Sequence, residues 1–143
     1  MKLEARQRGM DLFVMAFRLS ADVSDFKLKS QFRDASQSVS ANIGEGYGRR
    51  SLPEYLQFLY IAKGSLAEAL PCAVGLHNVK LISKDGFEDL DKLHYEIENK
   101  VLRLVESLES KRRANDWCDT LPPSNPEIQK STNPIAPESI CPE

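Results

Sequence analysis

The sequence predicts an all-α protein, an antiparallel up-down-up-down four-helix bundle over residues 1–113 with a disordered C-terminal tail over residues 114–143. Three observations predict it. Four segments carry apolar residues at the helical spacing of three and four, with no convincing strand. The links between these segments are short, which forces successive helices to lie antiparallel. Six of the eight prolines fall in the tail, whose apolar residues follow neither the helical nor the strand period.

The first two helices are expected over about residues 8–23 and 28–46. Apolar residues of the first fall on one face at Leu12, Met15, Ala16, Leu19 and Val23, widened by Phe13 and Phe17. The stripe of the second consists of Leu28, Phe32, Ala35, Val39 and Ile43. Both faces are predicted to enter the core.

The third and fourth helices begin with recognisable start signals. Ser51 can cap the third helix, with Pro53 in its first turn and Glu54 closing a capping box. The fourth is expected to open at residues 85–88. Its apolar residues keep a nearly unbroken seam, Leu90, Leu93, Ile97, Val101, Leu104 and Leu108.

Small residues are concentrated where the second and third helices meet, in the stretch SANIGEGYGRR over residues 40–50. A stripe of Ser36, Ser40, Gly44 and Gly48 is expected to face Ala62, Ser65, Ala69 and Ala73, with Ser36 opposite Ser65. A glycine inside a helix costs about 1 kcal/mol relative to alanine, so close helix approach or chain reversal should offset it. Gly46 and Gly48 are equally compatible with a simple C-terminal cap and turn. Asn42 and Glu45 are interpreted as structural, with Arg49 as a partner for Glu45.

Composition excludes several classes of protein. No apolar run approaches the length of a membrane span, so we expect a cytoplasmic protein with no membrane partner. Cys72, Cys118 and Cys141 form no paired motif and are expected to be free thiols. The sequence contains no nucleotide-binding or hydrolase motif, and the two histidines, expected to be partly exposed, lack partners at ligand spacing. We therefore expect a protein that is not an enzyme and has no metal and no cofactor.

Charge is distributed unevenly along the chain. The net charge of −2 combines a weakly basic body, with 18 Lys and Arg against 16 Asp and Glu, and an acidic tail. In an up-down bundle, seven candidate cations gather at one end: Arg6, Arg8, Arg49, Arg50, Lys111, Arg112 and Arg113. Such a surface attracts phosphate backbones, so we hypothesise weak, sequence-independent binding of nucleic acid, with RNA favoured. The alternative is that these cations only complement helix dipoles and keep the protein soluble. The acidic tail could compete for the same cations.

The segment from residue 31 to residue 70 resembles the signature of the four-helix-bundle proteins encoded in intervening sequences of bacterial 23S rRNA genes. The matching motif includes Gln31, Arg33, Asn42, Glu45, Gly46, Gly48, Gly64, Ser65 and Glu68. Gly44 stands where the family usually has alanine. Because glycine weakens a helix, this departure makes an interruption of the second helix conceivable.

This resemblance implies a homopentameric ring, a bacterial cytoplasmic setting and no established enzymatic activity. It also implies kinship with the accessory proteins of diversity-generating retroelements, which bind nucleic acid and a reverse transcriptase. Two functional classes stay open. The chain could be an adaptor for RNA, DNA or a nucleic-acid-processing enzyme, or a structural or selfish-element protein without a nucleic-acid partner.

Overall fold

The structure, a computed structural model, describes residues 2–115 and consists there of four helices without a strand. These are α1 (Lys2–Leu19), α2 (Phe26–Tyr47), α3 (Leu52–Asn78) and α4 (Lys84–Arg113). The predicted all-α class is confirmed. Residues 116–143 lie outside the described residues, so the disorder expected there stays a prediction.

The four helices form a closed square in which each contacts two neighbours. Each helix packs against the one that follows it in the chain, and α4 returns to α1. In the diagonal pairs α1–α3 and α2–α4, no Cα atoms come within 8 Å of each other. Pairs of contacts show that these neighbours are antiparallel. Ser38 meets Ser65 while Gly46 lies beside Phe58. Glu4 meets Lys100 while Arg8 meets Glu96. The up-down-up-down topology is therefore confirmed.

The bounds of α1 differ from the prediction at both ends. The helix begins at Lys2 rather than near residue 8. Gly9 therefore lies inside it, although glycine has a low helix propensity. A Cβ at Gly9 would come within 3.1 Å of the Ser40 Cα, so a close approach of α1 and α2 requires this glycine. At the other end the Ser20 hydroxyl donates to the Ala16 carbonyl at 2.7 Å, and the chain turns before Val23.

The starts of the remaining helices follow local chemistry. Asp25 accepts a hydrogen bond from the Leu28 N–H at 3.0 Å, and Ser83 accepts one from the Gly86 N–H at 3.1 Å. Ser51 occupies the predicted cap position of α3, but its side chain makes no capping hydrogen bond. The first turn of α3 is therefore fixed by Pro53 and by burial of its neighbours rather than by the predicted cap.

The core contains most of the predicted apolar residues. All six residues of the predicted α4 seam are buried. Two predictions were wrong: Leu28 and Phe17 are 41% and 50% exposed. Leu28 lies in the first turn of α2, where no neighbouring helix covers its side chain. Phe17 lies on the outer edge of a wide apolar stripe.

The stripe of small residues on α2 faces α1, which corrects the predicted pairing with α3. Ser40 lies against Gly9, and the place of a Cβ on Gly44 is 3.2 Å from Arg6 Nε. The residue that brings α2 close to α3 is Gly46, where a Cβ would be 2.9 Å from the Cβ of Phe58. The hydroxyl that meets Ser65 belongs to Ser38, not to Ser36. The Ser36 hydroxyl donates to the Phe32 carbonyl of its own helix.

The glycines do not interrupt α2. The helix runs through Gly44 and Gly46 to Tyr47, which removes the doubt about its continuity. Gly48 then caps it with an ordinary right-handed φ of −75°, so the turn uses no conformation reserved for glycine.

Candidate nucleic-acid interface

We call the end of the bundle where α1 and α3 begin and α2 and α4 end the basic end. Arg6 lies in the second turn of α1, Arg49 and Arg50 follow α2, and residues 111–113 form the last turn of α4. All of these side chains belong to exposed residues. The topology thus brings six of the seven candidate cations to one end of the molecule.

Arg49 is oriented by two contacts. Its Nη2 lies 2.6 Å from Glu45 Oε1, the partner that the spacing of four residues predicts. Its guanidinium carbon also lies 5.0 Å from the centre of the Phe58 ring, within the range of a cation–π contact. The Arg49 side chain is still 42% exposed, so it remains accessible to a ligand.

The side chain of Arg6 packs against α2 at Gly44. Its Nε is 3.2 Å from the position that a Cβ of Gly44 would take, and its Cδ is 3.6 Å away. Gly44 thus lies beside the Arg6 side chain. Because that side chain is exposed and flexible, an alanine at this position would require it to shift by only a few tenths of an ångström.

The last turn of α4 is joined to α3 through a tyrosine. The Tyr60 hydroxyl donates to Glu109 Oε1 at 2.7 Å, and this hydrogen bond is the main reason why the pKa of Tyr60 is raised. The charge of Arg112 acts on the pKa of the same hydroxyl in the opposite direction. Arg113 Nε lies 3.4 Å from the Glu109 carbonyl, where a cation complements the C-terminal dipole of the helix.

Arg8 differs from the other six candidates because it lies between helices. Its guanidinium donates to Asp11 at 3.2 Å and to Glu96 of α4 at 2.9 Å. These carboxylates raise the pKa of Arg8, the hydrogen bond to Asp11 having the largest effect. Lys100 extends the network by donating to Glu4 at 2.9 Å, which lowers the pKa of that carboxyl. The charge of Arg8 is thus compensated within the α1–α4 seam.

The polar residues of the motif on α2 and α3 form a chain of hydrogen bonds. Asn42 Nδ2 donates to the carbonyl and hydroxyl oxygens of Ser38, at 2.7 and 2.9 Å. The hydroxyl of Ser65, a buried residue, lies 2.8 Å from the Ser38 hydroxyl and joins the two helices. Gln31, Gly64 and Glu68, by contrast, are exposed on the outside of the bundle.

Arg33 has a structural role that the reasoning from periodicity missed. Its Nε donates to the Ser20 hydroxyl at 2.8 Å, and its Nη2 donates to the Phe17 carbonyl at 3.0 Å. The guanidinium also stacks 3.8 Å from the Phe17 ring centre. Arg33 therefore satisfies the C-terminus of α1, but these partners lie 13 and 16 residues away, so no local pattern reveals them.

Both histidines pack against other residues of the bundle. The expectation that both are partly exposed was wrong for one of them. His94 is buried, and its Nε2 lies 2.9 Å from the Leu66 carbonyl of α3, a partner that makes its burial tolerable. His77 is half-buried and stacks on Phe87, with 4.7 Å between the ring centres. Over residues 2–115, no group of three His, Cys, Asp or Glu side chains is placed to hold a metal ion.

The fold and this end of it define the chain as a small antiparallel four-helix-bundle protein. The family model described as 23S rRNA-intervening sequence protein matches residues 1–103. The chain belongs to that family.

A solved structure supports the fold. The crystal structure of a protein with unknown function, from the S23 ribosomal protein family of Bacteroides thetaiotaomicron VPI-5482, is similar with a TM-score of 0.67 and 18% identity. The match covers 71% of this chain and 97% of that one. No curated protein matches this chain.

Proposed function

We propose that this chain is a non-enzymatic, self-associating bundle that binds nucleic acid, RNA in the first place, through its basic end. The observation that carries the proposal is the convergence of Arg6, Arg49, Arg50 and residues 111–113 on one end of the bundle. Membership of a family named after an intervening sequence of 23S rRNA is compatible with an RNA ligand.

The unequal charge of the two ends supports this proposal. Arg8 is set aside because Asp11 and Glu96 compensate its charge. Over the two terminal turns of each helix and the connecting turns, the basic end then has seven Lys and Arg residues against four Asp and Glu residues. The opposite end has five of each. A ligand with regularly spaced phosphates is therefore attracted to one end of the molecule only.

Binding of this kind is driven by the release of counterions from the phosphate backbone. Each phosphate that a Lys or Arg neutralises adds roughly 0.9 to the slope of log affinity against log salt for duplex DNA, and about 0.7 for a single strand. A single copy offers few cations, so its affinity is low. Several copies that present their basic ends on one side bind the same strand together, which raises the affinity through avidity.

The test compares two sets of charge reversals in the full chain. Wild-type protein is titrated with a fluorescently labelled single-stranded RNA at two salt concentrations. The test variant carries Glu in place of four cations of the basic end: Arg49, Arg50, Arg112 and Arg113. The matched control carries Glu in place of four cations elsewhere on the surface: Lys27, Lys80, Lys84 and Lys92.

The proposal predicts that wild-type protein binds and loses affinity as the salt concentration rises. The test variant should bind about tenfold more weakly or worse and with a shallower salt slope, because phosphate contacts are lost. Equal losses in both variants would mean that net charge, not the basic end, drives binding. Negligible binding by wild-type protein at low salt would favour the structural alternative, in which the cations complement helix dipoles.

A further inference from the structure

Helix α4 ends in a turn that redirects the chain just before the first acid of the tail. Asn115 has a left-handed backbone with a φ of 52°, and its N–H donates to the Arg112 carbonyl at 3.2 Å. This hydrogen bond is one of the pair that defines a Schellman turn, and asparagine is among the few residues that take the left-handed position readily. The chain therefore leaves the axis of α4 at Asn115 instead of extending it away from the bundle.

The turn at Asn115 favours one place for the residue that follows it. In a Schellman turn, that residue commonly packs against the last turn of the helix, and in α4 this turn carries Lys111, Arg112 and Arg113. The residue concerned is Asp116, which lies outside the described residues. The local geometry thus favours a carboxylate beside the cations at the end of α4.

The tail and the basic end have opposite charges. Residues 116–143 contain one Lys against five Asp and Glu, which gives a net charge of −4. With Arg8 set aside, the basic end has seven cations against four acids, a net charge of +3. The opposite end, with five of each, offers no comparable attraction. Charge complementarity therefore directs the tail to the end of the bundle from which it emerges.

The first two acids of the tail can reach the cations on both sides of the basic end. An extended chain covers about 3.3–3.6 Å per residue, so Asp119 lies up to about 14 Å from Asn115. Neighbouring helices of a bundle are about 8–10 Å apart, and α3 is a neighbour of α4. Because Arg49 and Arg50 lie in the link that leads into α3, Asp119 can reach them while Asp116 stays at α4.

Aromatic surface at the same end offers a second kind of contact. Tyr47 at the end of α2 is 42% exposed, and Tyr60, which bonds Glu109 near the end of α4, is 46% exposed. Trp117 lies between the two acids Asp116 and Asp119 in the sequence. Contact of both carboxylates with the basic end therefore brings the indole against this end, where burial of apolar area adds to the attraction of charges.

From these observations we infer that residues 116–121 bind the basic end of their own chain, with Asp116 and Asp119 in the places of RNA phosphates. The tail is then a competitor within the chain, and RNA binds by displacing it. A tethered segment acts at an effective concentration on the order of 1 mM, so a weak contact is sufficient. The consequence for RNA rests on the proposed function, whereas the contact between the tail and the basic end does not.

The contact itself is measured in the full chain without RNA. Trp117 is the single tryptophan of the sequence, so its fluorescence reports on the tail. Quenching by acrylamide, a neutral molecule, should be about twofold weaker at low salt than at high salt, because salt screens the contact that shields the indole. Strong quenching at both salt concentrations is expected for the variant with Glu at Arg49, Arg50, Arg112 and Arg113. Wild-type behaviour is expected for the control with Glu at Lys27, Lys80, Lys84 and Lys92.

The effect on RNA is measured by titration with the labelled single-stranded RNA. The tail variant carries Asn or Gln in place of four acids: Asp116, Asp119, Glu127 and Glu138. The matched control makes the same change of net charge at four exposed acids of the bundle: Asp22, Asp89, Asp91 and Glu98. At low salt the tail variant should bind RNA about threefold more tightly than wild-type protein or better, and the control should change less. The difference should disappear at high salt.

Quenching of Trp117 that is equal at both salt concentrations, or that the basic-end variant leaves unchanged, would overturn the inference. Quenching that depends on protein concentration would also overturn it, because the tail would then bind a second copy. Equal gains of RNA affinity in the tail variant and its control would show that net charge, not the tail contact, limits RNA binding. Absence of RNA binding by wild-type protein and by the tail variant would refute the proposed function, and salt-dependent quenching would still establish the contact.

Discussion

Replacing Gly46 by alanine should weaken the contact between α2 and α3. The new Cβ would lie 2.9 Å from the Phe58 Cβ and from Tyr55 Cδ2, and 3.2 Å from the Tyr55 carbonyl oxygen. Tyr55 is 1% exposed and the Phe58 Cβ is attached to the backbone, so neither can move aside freely. The two helices must separate, and overpacking of this kind costs about 1–3 kcal/mol.

A second glycine of the bundle provides the control for helix propensity. Gly75→Ala adds a Cβ that meets nothing within 4 Å, so it should stabilise the protein by about 0.5–1 kcal/mol. Gly46→Ala gains the same propensity, and the difference between the two variants therefore isolates the cost of the collision. We expect that difference to be about 1–3 kcal/mol.

The assay is urea unfolding at low protein concentration, followed by far-ultraviolet circular dichroism. The prediction is a lower midpoint for Gly46→Ala and a slightly higher one for Gly75→Ala, with unchanged slopes. Equal stability of the two variants would refute the conclusion that Gly46 is present because the helices approach each other closely there.

Three further predictions concern single side chains. Arg33→Ala should lower the free energy of unfolding by about 1–3 kcal/mol in urea titrations, because the C-terminus of α1 loses charged hydrogen-bond donors; an effect near zero would contradict this role. Burial, and secondly the charge of Tyr47, raises the pKa of Tyr55 to about 12. The neutral phenol is therefore favoured in the fold, and stability that is complete below pH ~10 should fall by up to about 2–3 kcal/mol as the pH rises toward 12. Urea midpoints measured across that range should show this loss in wild-type protein and a smaller one in Tyr55→Phe. Partial burial, and secondly the charge of Glu68, raises the pKa of the Cys72 thiol. With the other two cysteines replaced by serine, alkylation near pH 8 should be slower than for a free thiol and faster after Glu68→Gln.

Periodicity and link length were sufficient to predict the class and topology of the bundle. The α4 seam shows why: each of its residues contributes to one stripe, and the register of that stripe is a property of the helix itself. The first turn of α2 shows the limit. Leu28 fits its stripe by spacing, but whether the end of a helix still faces a neighbour depends on where that neighbour stops.

The pairing of small residues could not be predicted because it depends on how α2 is rotated about its axis. Ser40 and Gly44 were predicted to face α3, but they face α1. Gly46 makes the close approach to α3 instead. A rotation of one residue, about 100°, redirects the whole stripe. The sequence identifies the small residues but not the helix against which they pack.

The sequence predicted at which end of the bundle the candidate cations lie, but it did not predict the contacts that each of them makes. Topology alone brings Arg49 and Arg113 to the same end as Arg6. It does not tell which cation is already engaged, and Arg8 is compensated by Glu96 from a helix almost ninety residues away in the chain. Ion pairs between distant segments require the fold to be known first.

The most direct test of the account follows individual arginines during binding. The side-chain Nε–H resonances of the full chain are recorded by NMR while a short single-stranded RNA is added at low salt. We expect the resonances of Arg49, Arg50 and Arg112 at the basic end to shift with a common saturation curve, while those of Arg18 and Arg33 at the opposite end stay in place. Shifts at the opposite end of equal size, or no shift at Arg49, Arg50 and Arg112 at saturating RNA, would contradict the account.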